Sequence, residues 1–457
     1  MIQLEGMLVG VIGLSKRTGV STARRLVKEK ARVVVSDIKG KEQLEEQLNE
    51  LEGYDISYEL GGHGEKCLSV DLLVVSPGVP LDLPFFRQVE AEGIPVISEI
   101  ELAYQLTSAG IIAITGTNGK TTTTSLLGEI LNRSEICPVK VAGNIGIPLI
   151  DEAPDLPPEG WVVAEVSSFQ LEAIRDFRPD ISIYLNFTPD HLDRHKTVEA
   201  YWKAKKNIFV NQLPEDKALI NSDDLEVVRA AADCRAHVYS VSCRERPEQG
   251  VYQQGKNLVF REDGCEQFLL NVDDIPLAGK HNVENTAFAA GAAYLLGVKC
   301  EIIREAILGF NAVEHRLEKL GITGDDILVV DDSKGTNPAA AVKALEAFER
   351  PLILIAGGQD READFSELAR RIVKKVKVLI LLGETRDIIA TAVLNIGFNN
   401  IHKVGDMAEA VAVAARESEP GDCLLLSPGC PSWDMYDSYR ERGRDFREEI
   451  GRHFTFR

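Results

Sequence analysis

The chain has 457 residues, 44% of them hydrophobic and 27% charged, a globular balance long enough for about three domains at roughly 150 residues each. No apolar run approaches the roughly 20 residues needed to cross a bilayer. A formal net charge of −20 with no long basic block excludes a nucleic-acid partner. The opening MIQLEGMLVGVIG has no basic leader and carries Glu5, so it reads as a first strand, and a cytoplasmic protein is expected. Eight scattered cysteines, without a C-x-x-C pair or a histidine at finger spacing, read as small core residues.

Residues 7–37 run as apolar strand, glycine turn, helix with Val20, Ala23 and Leu26 on one face, and a second strand ending at Asp37. This is one βαβ half of a nucleotide-binding fold. The turn from Gly13 to Gly19 departs from G-x-G-x-x-G, which argues against a redox dinucleotide. A further strand at 71–75 ends in the turn SPGVP, where open α/β sheets place ligands.

A second α/β pattern runs from about 108 to 313, with strands AGIIAIT, WVVAEV and ISIYLNF. The first empties into GTNGKTTTT at 116–124. Glycines that let the backbone approach, converging amides, a lysine and hydroxyls are what a phosphate loop needs. Gly116 stands in for the first glycine of the usual pattern, Ile114 occupying that place. Glu165, at the tip of WVVAE, is an acid placed to hold magnesium directly or through water. A third series follows EHR at 314–316, with strands at 327–332, 351–358, 376–383 and 423–429. Alternation of strand and helix three times over predicts three α/β units with mainly parallel sheets.

Here the motifs become specific. GTNGKTTT, EVSSFQL from Glu165, NFTPDHLDRH from Asn186, YWKAKKNIF, GKHNVEN from Gly279, EHR, DDSKGTN from Asp331 and LLLSPGCPSWDMY from Leu424 stand in the order found in the Mur ligases, which the whole chain resembles. The resemblance implies a Rossmann-like first domain (1–106), a central P-loop ATPase-like domain (107–313) and a Rossmann-like C-terminal domain (314–457). The EVSSFQ variant points to the branch that adds D-glutamate to UDP-N-acetylmuramoyl-L-alanine in the cytoplasm, by way of an acyl phosphate.

The resemblance also implies roles for single residues. Gly116, Thr117, Asn118, Gly119, Lys120, Thr121 and Thr122 would bind ATP, with Asn285 on the adenine and Arg316 and Asp332 on phosphates and ribose. Thr121 and Glu165 would hold a first magnesium ion, and His191 a second with a carbamylated Lys205. The neighbouring cations Lys203 and Lys206, with partial burial, would favour the neutral amine that carbamylation requires. Ser15, Lys16, Arg17, Thr18, Asp37, Ser76, Pro77 and Gly78 would take the uridine diphosphate end of the substrate. Asn144, Ser167, Ser168 and Gln170 would take its muramoyl part. Lys334 and Thr336 would sit at the reaction centre, with Ser432, Tyr439 and Arg361 on D-glutamate. Arg361 stands where the family commonly has lysine, and the first loop carries one extra residue. A monomer is expected.

Overall fold

Ile353 and Ile355 turn to one face of their strand and Leu352, Leu354 and Ala356 to the other, and all five are fully buried. Runs that are apolar on both faces suit a parallel sheet covered by helices on both sides. The computed structural model, which describes residues 2–277, 279–310, 314–361 and 363–457, contains three such sheets.

The first comprises β1 (Leu8–Ile12), β2 (Arg32–Asp37), β3 (Ile56–Leu60), β4 (Leu72–Val75) and β5 (Val96–Ser98), all parallel in the order β3-β2-β1-β4-β5. The strand order reverses between β1 and β4, so the turns that follow them meet at a crevice beyond their C-terminal ends.

The second sheet has nine strands: β6 (Gly110–Thr115), β7 (Val139–Gly143), β8 (Trp161–Glu165), β9 (Ile181–Tyr184), β10 (Lys217–Asn221), β11 (His237–Ser242), β12 (Gly250–Gln254), β13 (Asn257–Glu262) and β14 (Cys265–Asn271). Their order is β14-β13-β12-β11-β10-β9-β6-β8-β7, parallel from β7 to β12 and antiparallel through the final three.

The third contains β15 (Glu318–Ile322), β16 (Leu328–Asp331), β17 (Leu352–Ala356), β18 (Val376–Leu381), β19 (Ile401–Lys403) and β20 (Cys423–Leu426), ordered β15-β16-β20-β17-β18-β19. Only β15 is antiparallel to its neighbour. The α/β class and the mainly parallel sheets therefore agree with expectation.

The chain divides into two compact units. One takes residues up to 187 with 197–272 and 285–307, and holds the first two sheets. The other takes 188–196, 273–284 and 308–457, and holds the third. The expected boundary at 313 lies among residues 311–313, outside the described residues. No helix among the described residues is long and apolar enough to cross a membrane.

Candidate active site

The phosphate loop leaves β6, whose residues Ile111 to Thr115 are buried. Gly116 and Gly119 adopt φ of +150° and +86°, the region that glycine enters without strain. A Cβ on Gly119 would lie 2.3 Å from Asn285 Oδ1, so this glycine also admits the asparagine to the loop. The helix Lys120–Ser134 starts immediately afterwards and presents its first amides and the positive end of its dipole to the same place. Lys120 Nζ donates to the carbonyls of Gly116 (2.7 Å) and Thr117 (2.9 Å) and is thereby held over the loop.

Strand register sets the acid beside that loop. Glu165 is paired with Ile114 on one side and with Gly143 on the other, and it is 2% exposed. Its Oε2 accepts from Thr121 Oγ1 and its Oε1 from Asn144 Nδ2, both at 2.8 Å. A hydroxyl and a carboxylate so close supply the hard oxygens that magnesium takes along with water and phosphate. Among the described residues no three His, Cys, Asp or Glu side chains converge on a possible metal position, so phosphate and water would have to complete the coordination.

Lys205 lies on the helix Val198–Lys206 and is 1% exposed, with Nζ donating to Gly116 O at 2.7 Å and standing 4.9 Å from the Tyr201 ring centroid. Its surroundings differ from the expected cluster of lysines: Lys203 is exposed, and Lys206 pairs with Asp233 at 2.8 Å. At helical spacing, positions 203 and 206 share a face from which 205 turns away, and of the three only Lys205 is buried.

In the first sheet several expected ligand residues build the turn itself. Asp37 accepts from the amides of Leu14 (2.7 Å) and Lys39 (2.8 Å). Ser15 Oγ accepts from Gly19 N (2.9 Å), and Ser76 Oγ donates to Gly13 O (2.6 Å). Lys16 pairs with Glu46, while Thr18 opens the helix Thr18–Lys28 and Pro77–Gly78 form the tip after β4. Arg17 reaches instead to the carbonyls of Gly143 and Gly146. Ser167 and Gln170 form a capping box, Gln170 Oε1 accepting from Ser167 N (3.0 Å) and Oγ (2.9 Å), beside buried Ser168.

The second unit gathers the remaining candidates. Lys334 Nζ stands 5.3 Å from the Tyr439 ring, and Lys334 N donates to His315 O (2.9 Å). Thr336 follows in the same turn, its amide donating to Lys334 O at 3.0 Å. Asp332 accepts from Ser427 Oγ (2.7 Å) and Leu317 N (3.2 Å). Burial pushes its carboxyl up from 3.8 to about 7, against the pull of Arg316 and those hydrogen bonds. Among the described residues Arg316 Nε, which is buried, has no hydrogen-bond partner, which leaves a donor for an incoming acceptor. Ser432 is buried. Arg361 stacks 4.6 Å from the neighbouring Trp433 ring, and its Nη1 donates to His191 Nδ1 at 3.4 Å. His191 has φ +54° and is followed by the short helix Leu192–His195. It belongs to this unit, whereas Lys205 and Glu165 belong to the other.

Three residues that shape these sites were given no role by the sequence. Asn186 holds the phosphate loop, its Oδ1 accepting from Asn118 N (2.9 Å) and its O from Thr117 N (3.0 Å). Arg442, 2% exposed, donates to Ser333 Oγ (3.0 Å), Ser333 O (2.8 Å) and Cys430 O (3.1 Å), tying the Asp332 turn to the Ser432 loop; burial lowers its pKa to about 10. A signal existed: Arg442 shares a helical face with buried Phe446 and Ile450. Asp331 accepts from Arg447 Nε (3.0 Å) and Ser333 N (2.9 Å) and sits 2.7 Å from His315 Nδ1, anchoring the EHR turn.

Comparison with known proteins agrees with this geometry. Residues 8–98 match the Mur ligase MurD-like N-terminal domain, 114–293 the Mur ligase middle domain, and 315–430 the Mur ligase glutamate ligase domain. The UDP-N-acetylmuramoylalanine–D-glutamate ligase of Clostridioides difficile (strain 630) is 46% identical, over 98% of this chain and 99% of that protein. The protein of the same description from Pelotomaculum thermopropionicum is 44% identical over 96% of each. Among solved structures, a pseudomurein peptide ligase type C from Methanothermus fervidus shares the fold at 18% identity and TM-score 0.60, covering 97% of this chain and 100% of that one. The UDP-N-acetylmuramate-alanine ligase MurC from Thermotoga maritima does so at the same identity and TM-score, over 98% and 99%. The phosphate loop, the acid beside it and this full-length correspondence together establish that the chain belongs to the Mur ligase family.

Proposed function

We propose that the chain is an ATP-dependent ligase that joins D-glutamate to UDP-N-acetylmuramoyl-L-alanine in peptidoglycan precursor synthesis, releasing ADP and phosphate. The observation that carries this is full-length identity of 46% and 44% to D-glutamate ligases, in a chain whose phosphate segment is contacted by Glu165 at Thr121 and by buried Lys205 at Gly116. The family implies ATP use.

In this mechanism the substrate carboxylate attacks the γ-phosphate, forming an acyl phosphate that the amine of D-glutamate then opens, with phosphate leaving. Two anions must approach, so positive charge has to surround the transferring group. The amides of 116–119, the start of the helix Lys120–Ser134 and Lys120 would cradle the phosphates, and Thr122, also at that helix start, would face them. Asn285, beside Gly119, would border the adenine. Arg316 and Lys334 would add charge from the third sheet, with Asp332 on the ribose. Thr121 and Glu165 would hold one magnesium ion and His191 with carbamylated Lys205 a second. Magnesium, when bound, supplies charge neutralisation at the phosphate oxygens. Carbamylation would require the Lys205 ammonium to lose one proton, and the neutral amine would then join carbon dioxide with release of a second, turning a cation into an anion beside Gly116.

The first-sheet turns at Ser15, Lys16, Thr18, Asp37 and Ser76–Gly78 would take uridine diphosphate, largely through the backbone they shape. Asn144, Ser167, Ser168 and Gln170 would face the muramoyl part. Thr336, Arg361, Ser432 and Tyr439 would clamp D-glutamate, the Arg361 fork reading a carboxylate bidentately. Domain cuts after residues 106 and 313 would give each sheet its own domain. We take the enzyme to act in the cytoplasm as a monomer.

Phosphate release from ATP, with acceptors and amino acids offered singly and in pairs, tests the assignment. Stoichiometric ADP only with UDP-N-acetylmuramoyl-L-alanine and D-glutamate together is the expected result. Equal turnover with another amino acid or another nucleotide-linked acceptor would replace it.

A further inference from the structure

Arg17 sits in the turn after β1, yet its guanidinium leaves that sheet. Nη2 donates to Gly146 O at 2.5 Å and to Gly143 O at 3.3 Å, more than 120 residues along the chain. Those carbonyls flank Asn144. The loop they belong to is closed by Gly143 N donating to Ile147 O and pressed onto β8 by Asn144 N donating to Glu165 O, each at 2.8 Å. A Cβ on Gly143 would lie 2.3 Å from Glu165 O, so no slack exists between loop and strand. From Asn144 the chain of contacts continues through Nδ2 to Glu165 Oε1, and from Glu165 Oε2 to Thr121 Oγ1 at the phosphate loop.

The same stretch is fastened again farther on. Ile150 N donates to Glu99 Oε1 (2.7 Å), and Arg25 Nη2 donates to Asp155 Oδ2 (2.8 Å). Those fastenings fix the stretch as a whole, but among the described residues only Arg17 grips the carbonyls on both sides of Asn144. A charged donor on two backbone carbonyls is stronger and more directional than a neutral contact.

We infer that Arg17 is a positioning residue: it clamps the 143–146 loop so that Asn144 orients Glu165 and Thr121, joining the turn that takes the nucleotide-linked substrate to the site of phosphoryl transfer. The inference rests on the proposed function, in which that turn binds the uridine substrate and the loop binds ATP. Arg17 acts through Asn144, so its loss is felt in turnover more than in uridine affinity.

Calorimetry with UDP-N-acetylmuramoyl-L-alanine and with a non-hydrolysable ATP analogue on the unaltered protein comes first; failure to bind either ligand overturns the proposed function itself. Arg17→Ala, Arg17→Lys, Asn144→Ala and the Arg17→Ala/Asn144→Ala pair follow. In Arg17→Ala each ligand should bind within about threefold of the parent, while kcat at saturating substrates falls about tenfold or more. Lysine, which keeps the charge but can reach one carbonyl at a time, should recover part of the loss. The double variant should turn over about as slowly as Asn144→Ala alone, because residues acting through one another are not additive. Unchanged kcat with uridine-substrate affinity weakened about tenfold or more would make Arg17 a plain substrate ligand. Losses that multiply in the double variant would mean that Arg17 works elsewhere. Either result overturns the inference.

Discussion

Glu99 shows how far one side chain can depart from its ordinary chemistry. It opens the helix Glu99–Leu106 at 1% exposure, its Oε1 accepting from Ile150 N at 2.7 Å. Burial, only partly offset by the Ile150 amide and the Gln170 side chain, pushes the carboxyl up from 4.5 to about 7. The folded protein then holds a proton that the unfolded chain has released, so this group's contribution to stability is present below pH 4.5 and is lost as pH rises to about 7. The loss is on the order of 3 kcal/mol. Glu99→Gln keeps the shape and the acceptor but cannot ionise. Its melting temperature relative to the parent should therefore climb between pH 5 and pH 8, and a flat difference across that range would show that Glu99 is not a strained acid. Lys205 makes a sharper functional claim. Lys205→Ala should lose about a hundredfold or more in turnover if its carbamate helps to hold a cation at the phosphates. Added short-chain carboxylic acids should restore part of it by filling the cavity with an anion. A fully active variant would remove Lys205 from the mechanism.

At the scale of elements, close approach decides more than propensity does. Gly19 lies in the helix Thr18–Lys28, where alanine would ordinarily be favoured by about 1 kcal/mol. A Cβ there would meet Gly13 O at 2.4 Å and Leu14 Cα at 2.8 Å, backbone atoms that cannot step aside. Gly19→Ala should therefore lose about 1–3 kcal/mol in urea unfolding. It should also weaken the uridine substrate while sparing the ATP analogue, whose loop belongs to the second sheet. An unchanged urea midpoint would refute this packing. The same physics explains what the sequence disclosed. Parallel strands buried on both faces, such as Leu352–Ala356, are continuous apolar runs and were legible. The hairpins β12 to β14 were not, because the first four residues of Cys265–Asn271 are exposed and mix polar with apolar types. Glu318–Ile322 and Ile401–Lys403, polar or only three residues long, carried too little pattern. In the site, the phosphate loop was readable because its chemistry is contiguous. The Asn186, Asn144 and Arg442 contacts depend on strand order and register, which no local pattern encodes.

For the molecule as a whole, a net charge of −20 means that anionic substrates are welcomed only where the fold concentrates amides and cations. The fold does so at separate places: at the turns after β1 and β4 in the first sheet, and at the loop after β6 in the second. Binding of one substrate should thus survive damage to the site of the other. Lys120 tests this, since its ammonium is held by the Gly116 and Thr117 carbonyls of the phosphate loop, which leaves the second sheet. In Lys120→Ala, calorimetry should find UDP-N-acetylmuramoyl-L-alanine bound within about threefold of the parent. Phosphate release should fall by about a hundredfold to a thousandfold, the range seen when one preorganised donor to a developing charge is removed. Joint loss of both would mean that the loop shapes the uridine site as well. Turnover near that of the parent would mean that phosphoryl transfer takes place away from the loop after β6, and that the convergence of Thr121, Glu165 and Lys205 there serves only the fold.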